Sequence, residues 1–199
     1  QTDRPAANEN TFQWDAGTSQ WITPVGNGVR TFLNAMQSAT GRVCRIVSGG
    51  QSGANISHLQ KGGTPYTNLM ASIAASGINP AFVLWHQGEG DGNTASPTVN
   101  GYRNSLNALH VDLAADTGKT VSTLPIVCSS LATVTDGAFS YPDTSWATIQ
   151  DALAGVNTAY PNMHYSHSNM DATLVDGVHW DGASYGRSGA RYAQTILVL

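Results

Sequence analysis

Along the chain, apolar positions switch repeatedly between a helical spacing and short unbroken runs. Val29, Phe32, Leu33 and Met36 recur at helical spacing, and a short apolar run from Val43 to Val47 follows between Gly41 and Gly49-Gly50. The same grammar returns with Pro65 at a first helical position, Tyr66, Leu69, Met70 and Ile73 on one face and Gly77 as a stop; a strand from Ala81 to Trp85 comes next. A third helix places Tyr102, Leu106, Leu109 and Leu113 on one stripe and ends at Gly118, before a strand from Leu124 to Cys128. Asp143 to Ser145 open a fourth helix with Trp146, Ile149 and Leu153; Met163 to Tyr165 make a fourth strand, and Ala190 to Leu197 a closing helix. Residues 10–27 read as irregular, with Phe12, Trp14 and Trp21 scattered among turn formers. Strands this uniformly apolar do not suit a sheet with one wet face. The pattern predicts an α/β fold, a three-layer αβα sandwich around a parallel sheet.

Composition narrows the picture. A length of 199 residues with 41% hydrophobic and only 11% charged residues suits one globular domain spanning 1–199, not a disordered or fibrous chain. A net charge of -4 without a Lys/Arg cluster argues against nucleic acid as a partner. No stretch approaches the roughly 18 apolar residues of a membrane span, and QTDRPAANEN has no apolar leader core, so no membrane partner is expected. Cys44 and Cys128 both lie in apolar runs and read as buried thiols, with a disulfide as the alternative. Lysine is confined to Lys61 and Lys119, while Ser, Thr, Asn, Gly and Ala abound, a flavour common in secreted and phage- or cell-surface proteins, the expected location, but shared by many others.

In doubly wound folds ligands gather at the carboxyl ends of the strands. Three segments there could carry chemistry. Ser48-Gly49-Gly50-Gln51-Ser52-Gly53 can aim backbone N–H groups into a cleft, or be a plain tight turn. Trp85-His86-Gln87-Gly88-Glu89-Gly90-Asp91 ends a buried strand in an amide and two carboxylates, which must bond one another or a substrate. Gln87 is a candidate oxyanion donor, and Glu89 or Asp91 could hold an imidazole or tie down the loop. Asp176-Gly177-Val178-His179-Trp180 sets an Asp three residues before a His, where it can fix the ring tautomer and free the other nitrogen as a base. No metal is expected: Asp91-Gly92-Asn93 lacks the remaining ligands of a calcium loop, and the histidines are not spaced as a zinc set.

Taken in order, Gly-Gly-Gln-Ser, Trp-His-Gln-Gly-Glu-Gly-Asp and Asp-Gly-Val-His resemble the SGNH (GDSL-like) hydrolases, in particular the sialate O-acetylesterase-like carbohydrate esterases. The resemblance covers about residues 10–199; Trp21, Gly26-Asn27-Gly28 and Tyr102 also match family positions. It implies a flavodoxin-like sheet and a carbohydrate O-acetylesterase that needs no cofactor and acts on an acetylated carbohydrate. His179 and Asp176 match the dyad that activates the serine, Gly50 or its neighbour Gly49 the backbone oxyanion donor, Gln87 the side-chain donor, and Glu89 an occasional alternative carboxylate. Trp180, with Trp14, Trp21 and Trp146, could stack on a sugar ring, with core packing the alternative and the expected role of at least half of them.

The family's opening strand, which runs into Gly-Gln-Ser-Asn and carries the nucleophile, has no counterpart before residue 49. Two arrangements follow. In the preferred one the sheet lacks its first strand in this chain, and an upstream segment or second chain completes it. In the other, Ser52 is the nucleophile. A sugar-binding or structural module that kept the fold without the serine is the rival reading.

Overall fold

The computed structural model describes residues 8–93, 97–134 and 143–199. In chain order the elements are β1 (Thr11–Asp15), β2 (Gln20–Ile22), α1 (Asn27–Thr40), β3 (Cys44–Ile46), α2 (Ile56–Leu59), α3 (Thr64–Ser76), β4 (Val83–Trp85), α4 (Glu89–Gly92), α5 (Val99–Asp116), β5 (Ile126–Ser129), α6 (Asp143–Ala154), α7 (Val156–Ala159), β6 (Met163–His167) and α8 (Gly182–Ile196). Their alternation is the α/β architecture that the apolar pattern predicts. Gly77 ends α3 in the left-handed conformation (φ +64°), with its N–H on the Ala74 carbonyl, as its position after the last apolar turn anticipates.

Two elements differ from expectation. Residues 10–27 are not irregular: β1 and β2 pair antiparallel, Trp14 opposite Trp21, with the two rings edge to face at 5.3 Å. TFQWD and QWI interleave polar residues with their aromatics, so they lack the unbroken apolar run that revealed β3, β4 and β5. The closing helix begins at Gly182, eight positions before Ala190, because Asp181 caps it by accepting the Ser184 N–H at 2.7 Å. Its first two turns, Gly182 to Ser188, carry Tyr185, Arg187 and otherwise only Gly, Ala and Ser, so no apolar stripe announced them. The helix carrying Trp146 starts at Asp143, as read; residues 135–142 and the Asp143 side chain lie outside the described residues.

The strands form two three-stranded sheets, ordered β2-β1-β3 and β4-β5-β6. β1 runs parallel to β3, and β4, β5 and β6 are mutually parallel. Side chains alternate across this layer as the pleat requires. Ile126 and Cys128 face one apolar cluster with Tyr66, Leu106, Leu109 and Ile149, on the side of α3, α5 and α6. Val127 between them faces Phe32, Leu33, Tyr192 and Ala193 on the other side. There α1 and α8 pack against each other and cover β3, Phe82 and Leu84 as well as β5. Three layers result, with a middle layer that is not continuous between β3 and β4.

Candidate active site

The loop between β6 and α8 folds around one carboxylate. Asp176 Oδ1 accepts the backbone N–H groups of His179 at 2.7 Å and Val178 at 3.1 Å, and Oδ2 accepts the His179 ring N–H at Nδ1 from 2.6 Å. An antiparallel bridge between Leu174 and Trp180 closes the loop. The His179 backbone N–H, then its ring, hold the Asp176 carboxyl down at about 2, so it is ionised at any ordinary pH. With Nδ1 committed, Nε2 is left with a free lone pair, which is the form a general base needs. The pair is open: the side chains are 68% and 53% exposed for His179 and Asp176.

The loop after β4 is tied to the loop after β3. Gln87 Nε2 donates to the Ala54 carbonyl at 2.9 Å and to Asp91 Oδ2 at 2.7 Å, while its Oε1 accepts from the Tyr102 hydroxyl at 2.9 Å. Asp91 Oδ2 also accepts the Ile56 N–H at 2.8 Å, and Tyr102 in turn accepts the Trp85 indole N–H at 3.0 Å. An amide has two N–H donors, and both are used. Gln87, expected as an oxyanion donor, therefore holds the two loops together in this structure. Asp91 does the same, one of the two roles open to it from sequence. Gly88 makes the turn possible, with φ +143° and Ile149 Cγ2 2.5 Å from where a Cβ would stand.

Gly49, Gly50, Ser52, Gln87, Glu89, His179 and Trp180, seven of the residues that the sequence singles out, line one cavity of about 1330 Å³. Asp176 does not line it and reaches it through His179. Gly49 sits against Leu69 of α3, whereas Gly50 has open space around it. The Ser52 side chain is exposed and makes no hydrogen bond to His179 among the described residues. Trp180 is buried, edge-on to His86 at 4.7 Å and stacked on Tyr185 at 5.1 Å, so its ring packs the cavity wall. Trp14 and Trp146 are also buried, and the Trp21 ring lies beneath the Arg45 guanidinium.

His86, unassigned from sequence, forms a second imidazole contact. Its Nδ1 lies 3.0 Å from Ser129 Oγ and its Nε2 3.4 Å from Glu89 Oε1. Burial works to raise the Glu89 carboxyl, but His86 and the nearby His179 outweigh it and the group lies below its ordinary value. Ser129 is fully buried and accepts the Tyr192 hydroxyl at 2.7 Å, so it is no candidate nucleophile. Asn93 also lines the cavity, with Oδ1 buried and unpartnered among the described residues. His86 stands inside the quoted Trp85–Asp91 segment and Asn93 in the Asp91-Gly92-Asn93 stretch, but neither was given a role from sequence.

Fold and site together define a three-layer α/β domain with an open, carboxylate-oriented histidine at the carboxyl edge of its strands. The family of carbohydrate esterases described as sialic acid-specific acetylesterases matches residues 4–198, and the chain belongs to it. Among solved structures it is similar to an Arabidopsis thaliana protein, with a TM-score of 0.82 at 21% identity over 99% of this chain and 86% of that one. A carbohydrate acetylesterase from Xanthomonas citri gives 0.67 at 17% identity, over 92% of this chain and 46% of that one. A carbohydrate acetylesterase from Sinorhizobium meliloti gives 0.52 at 16% identity, over 94% and 97%. At these identities the likeness is one of fold. No curated protein matches the chain.

Proposed function

We propose that this chain forms the larger part of a carbohydrate O-acetylesterase in which His179 is the general base. The reading is supported chiefly by one observation: the Asp176-oriented His179 shares a cavity with the open N–H-bearing turn at Gly50. A serine oxygen attacks the acetyl carbonyl carbon while His179 Nε2 takes its proton, and Asp176 offsets the imidazolium charge. The Gly50 N–H steadies the oxyanion. Collapse expels the sugar oxygen, which takes the proton back from His179; water then hydrolyses the acetyl-serine by the same exchange. Glu89, joined to His86, is an auxiliary carboxylate on the cavity wall. In this reading the serine comes from outside residues 1–199, which the lack of a hydrogen bond between Ser52 and His179 among the described residues favours over Ser52.

The test is aryl-acetate hydrolysis combined with fluorophosphonate labelling and peptide mapping. The chain alone should take no tag at Ser52, and the chain joined to its serine-bearing segment should turn over acetate and lose that activity in His179→Ala. A tag on Ser52 overturns the external serine, and full activity in His179→Ala overturns the dyad. The sugar-binding reading is weakened by Trp14, Trp146 and Trp180, whose rings are spent on packing.

A further inference from the structure

The residues from Glu89 to Asn93 divide by the direction in which each leaves the single turn of α4. Gly90 has the Ala54 carbonyl and Asn55 Oδ1 2.7 Å from where its Cβ would stand, and Gly92 has the Trp146 ring at 2.8 Å. Asp91, between them, points to the loop after β3, on the Gln87 amide and the Ile56 N–H. Those three directions are taken up by packing. Glu89 and Asn93 stand four positions apart, joined by the Asn93 N–H on the Glu89 carbonyl at 3.0 Å, and so share the remaining face. Both line the cavity that His179 lines. Glu89 marks the end nearest the base, since its partner His86 lies against Trp180, the neighbour of His179.

Both side chains on this face have bonding capacity to spare. Asn93 Oδ1 is buried without a hydrogen-bond partner among the described residues, so nothing holds the amide in one orientation, and a turn about its last bond presents the cavity with a donor or an acceptor. A buried polar atom left unpaired is costly, and a group that completes it recovers that cost. Glu89 meets His86 through Oε1 at 3.4 Å, and its side chain is 36% exposed. A carboxylate has about four acceptor positions, so it can take a further donor. A hydroxyl, which donates and accepts, suits both groups. Charge narrows the ligand further. Against the upward pull of burial, His86 and then His179 hold the Glu89 carboxyl below its ordinary value, so it is ionised at neutral pH. Among the described residues no lysine lines the cavity, and its arginines are Arg42, which precedes β3, and Arg45, whose guanidinium lies over the Trp21 ring at 5.1 Å. No cation therefore stands beside Glu89 to receive an acidic sugar.

We infer that Glu89 and Asn93 form the sugar subsite of the acetylesterase proposed above, reading two hydroxyls of a neutral sugar and turning away a sugar that carries a carboxylate. The inference rests on that reading and narrows the family description, because sialic acid is itself a carboxylate sugar. Side chains at this spacing lie roughly 5–6 Å apart at Cβ, which suits two hydroxyls of one sugar ring. A carboxylate on that ring would face Glu89 and, behind His179, Asp176, and like charges brought together across an interface suppress binding.

The test is an NMR titration of the chain with two probes that carry an acetamide in place of the ester and so resist cleavage. They are methyl N-acetylglucosaminide and its uronic acid counterpart, which differ only in a hydroxymethyl group against a carboxylate. The neutral probe should shift the Glu89 and Asn93 amides and bind about tenfold more tightly than the acidic one. Asn93→Leu should weaken the neutral probe by about tenfold, the loss of one hydrogen bond, and Glu89→Gln, which keeps the shape and removes the charge, should bring the two probes to about equal affinity. Equal or tighter binding of the acidic probe to the native chain overturns the inference, as does unaltered affinity in Asn93→Leu or binding of neither probe. Should Asn93→Leu fail to fold, Glu89→Gln alone decides, and discrimination that survives it is equally fatal. Binding is read without ester cleavage. A chain that selects the neutral probe while its serine-joined form leaves aryl acetate intact refutes the esterase reading alone, and cleavage without selection refutes the subsite alone.

Discussion

At Gln87 a single side chain decides whether two loops share a register. Its amide saturates Ala54 and Asp91, and removing it leaves a half-buried carboxylate oxygen and a carbonyl each one donor short. Gln87→Ala should therefore cost about 1–3 kcal/mol of stability, read from the urea midpoint at constant slope. An unchanged midpoint would mean that the amide is free to serve substrate instead. Asp176 illustrates the opposite case, where the sequence alone sufficed. The three-residue spacing to His179 is local, so the bond it implies is also local and survives any rearrangement of the distant fold.

Elements add constraints that no single residue shows. The turn from β4 into α4 depends on Gly88, whose conformation and contact with Ile149 leave no place for a side chain. Gly88→Ala should lower stability by about 1–3 kcal/mol or more, whereas Gly50→Ala, with nothing near it, should leave the urea midpoint unmoved. β6 and α8 meet through His167, whose ring nitrogens lie 2.7 Å from Ser166 Oγ and 2.9 Å from Ser188 Oγ, against the Tyr192 ring. Burial, then the Arg191 and His86 charges, push its pKa down to about 4. An unfolded histidine binds a proton from about 6.5 downward. Between those values the unfolded chain holds more protons, so stability should fall as pH drops from about 6.5 to about 4 and then level off. His167→Gln should flatten that limb in a pH series of chemical denaturation; an unaltered limb would assign the dependence elsewhere.

On the scale of the whole molecule, the two thiols separate what is exposed from what is sealed. Burial raises both, Cys128 far more, and only Cys44 has surface open to a reagent. One thiol of two should react in the native chain, faster at higher pH, and both in denaturant. A native count of zero would mean that the edge of β3 carrying Cys44 is covered in solution. The expected buried pair of thiols is thus half corrected: Cys128 is buried, Cys44 lies on an open strand edge, and both are free.

The alternation of elements, the caps at Gly77 and the Asp176–His179 pair were all written in the sequence, because each depends on residues within one turn or one strand of each other. The β1–β2 hairpin and the first turns of α8 were not, since strands that interleave polar with aromatic residues and helical turns this poor in apolar residues show neither an apolar run nor a stripe. What only the tertiary structure decided is which groups remain free. Gln87 reads as a donor until Ala54 arrives from the loop after β3 and Asp91 folds back from one turn further on, and β3 reads as an interior strand until its outer edge proves unpaired. Hydrogen-bond satisfaction is a property of neighbours brought together in space, and no linear pattern states it.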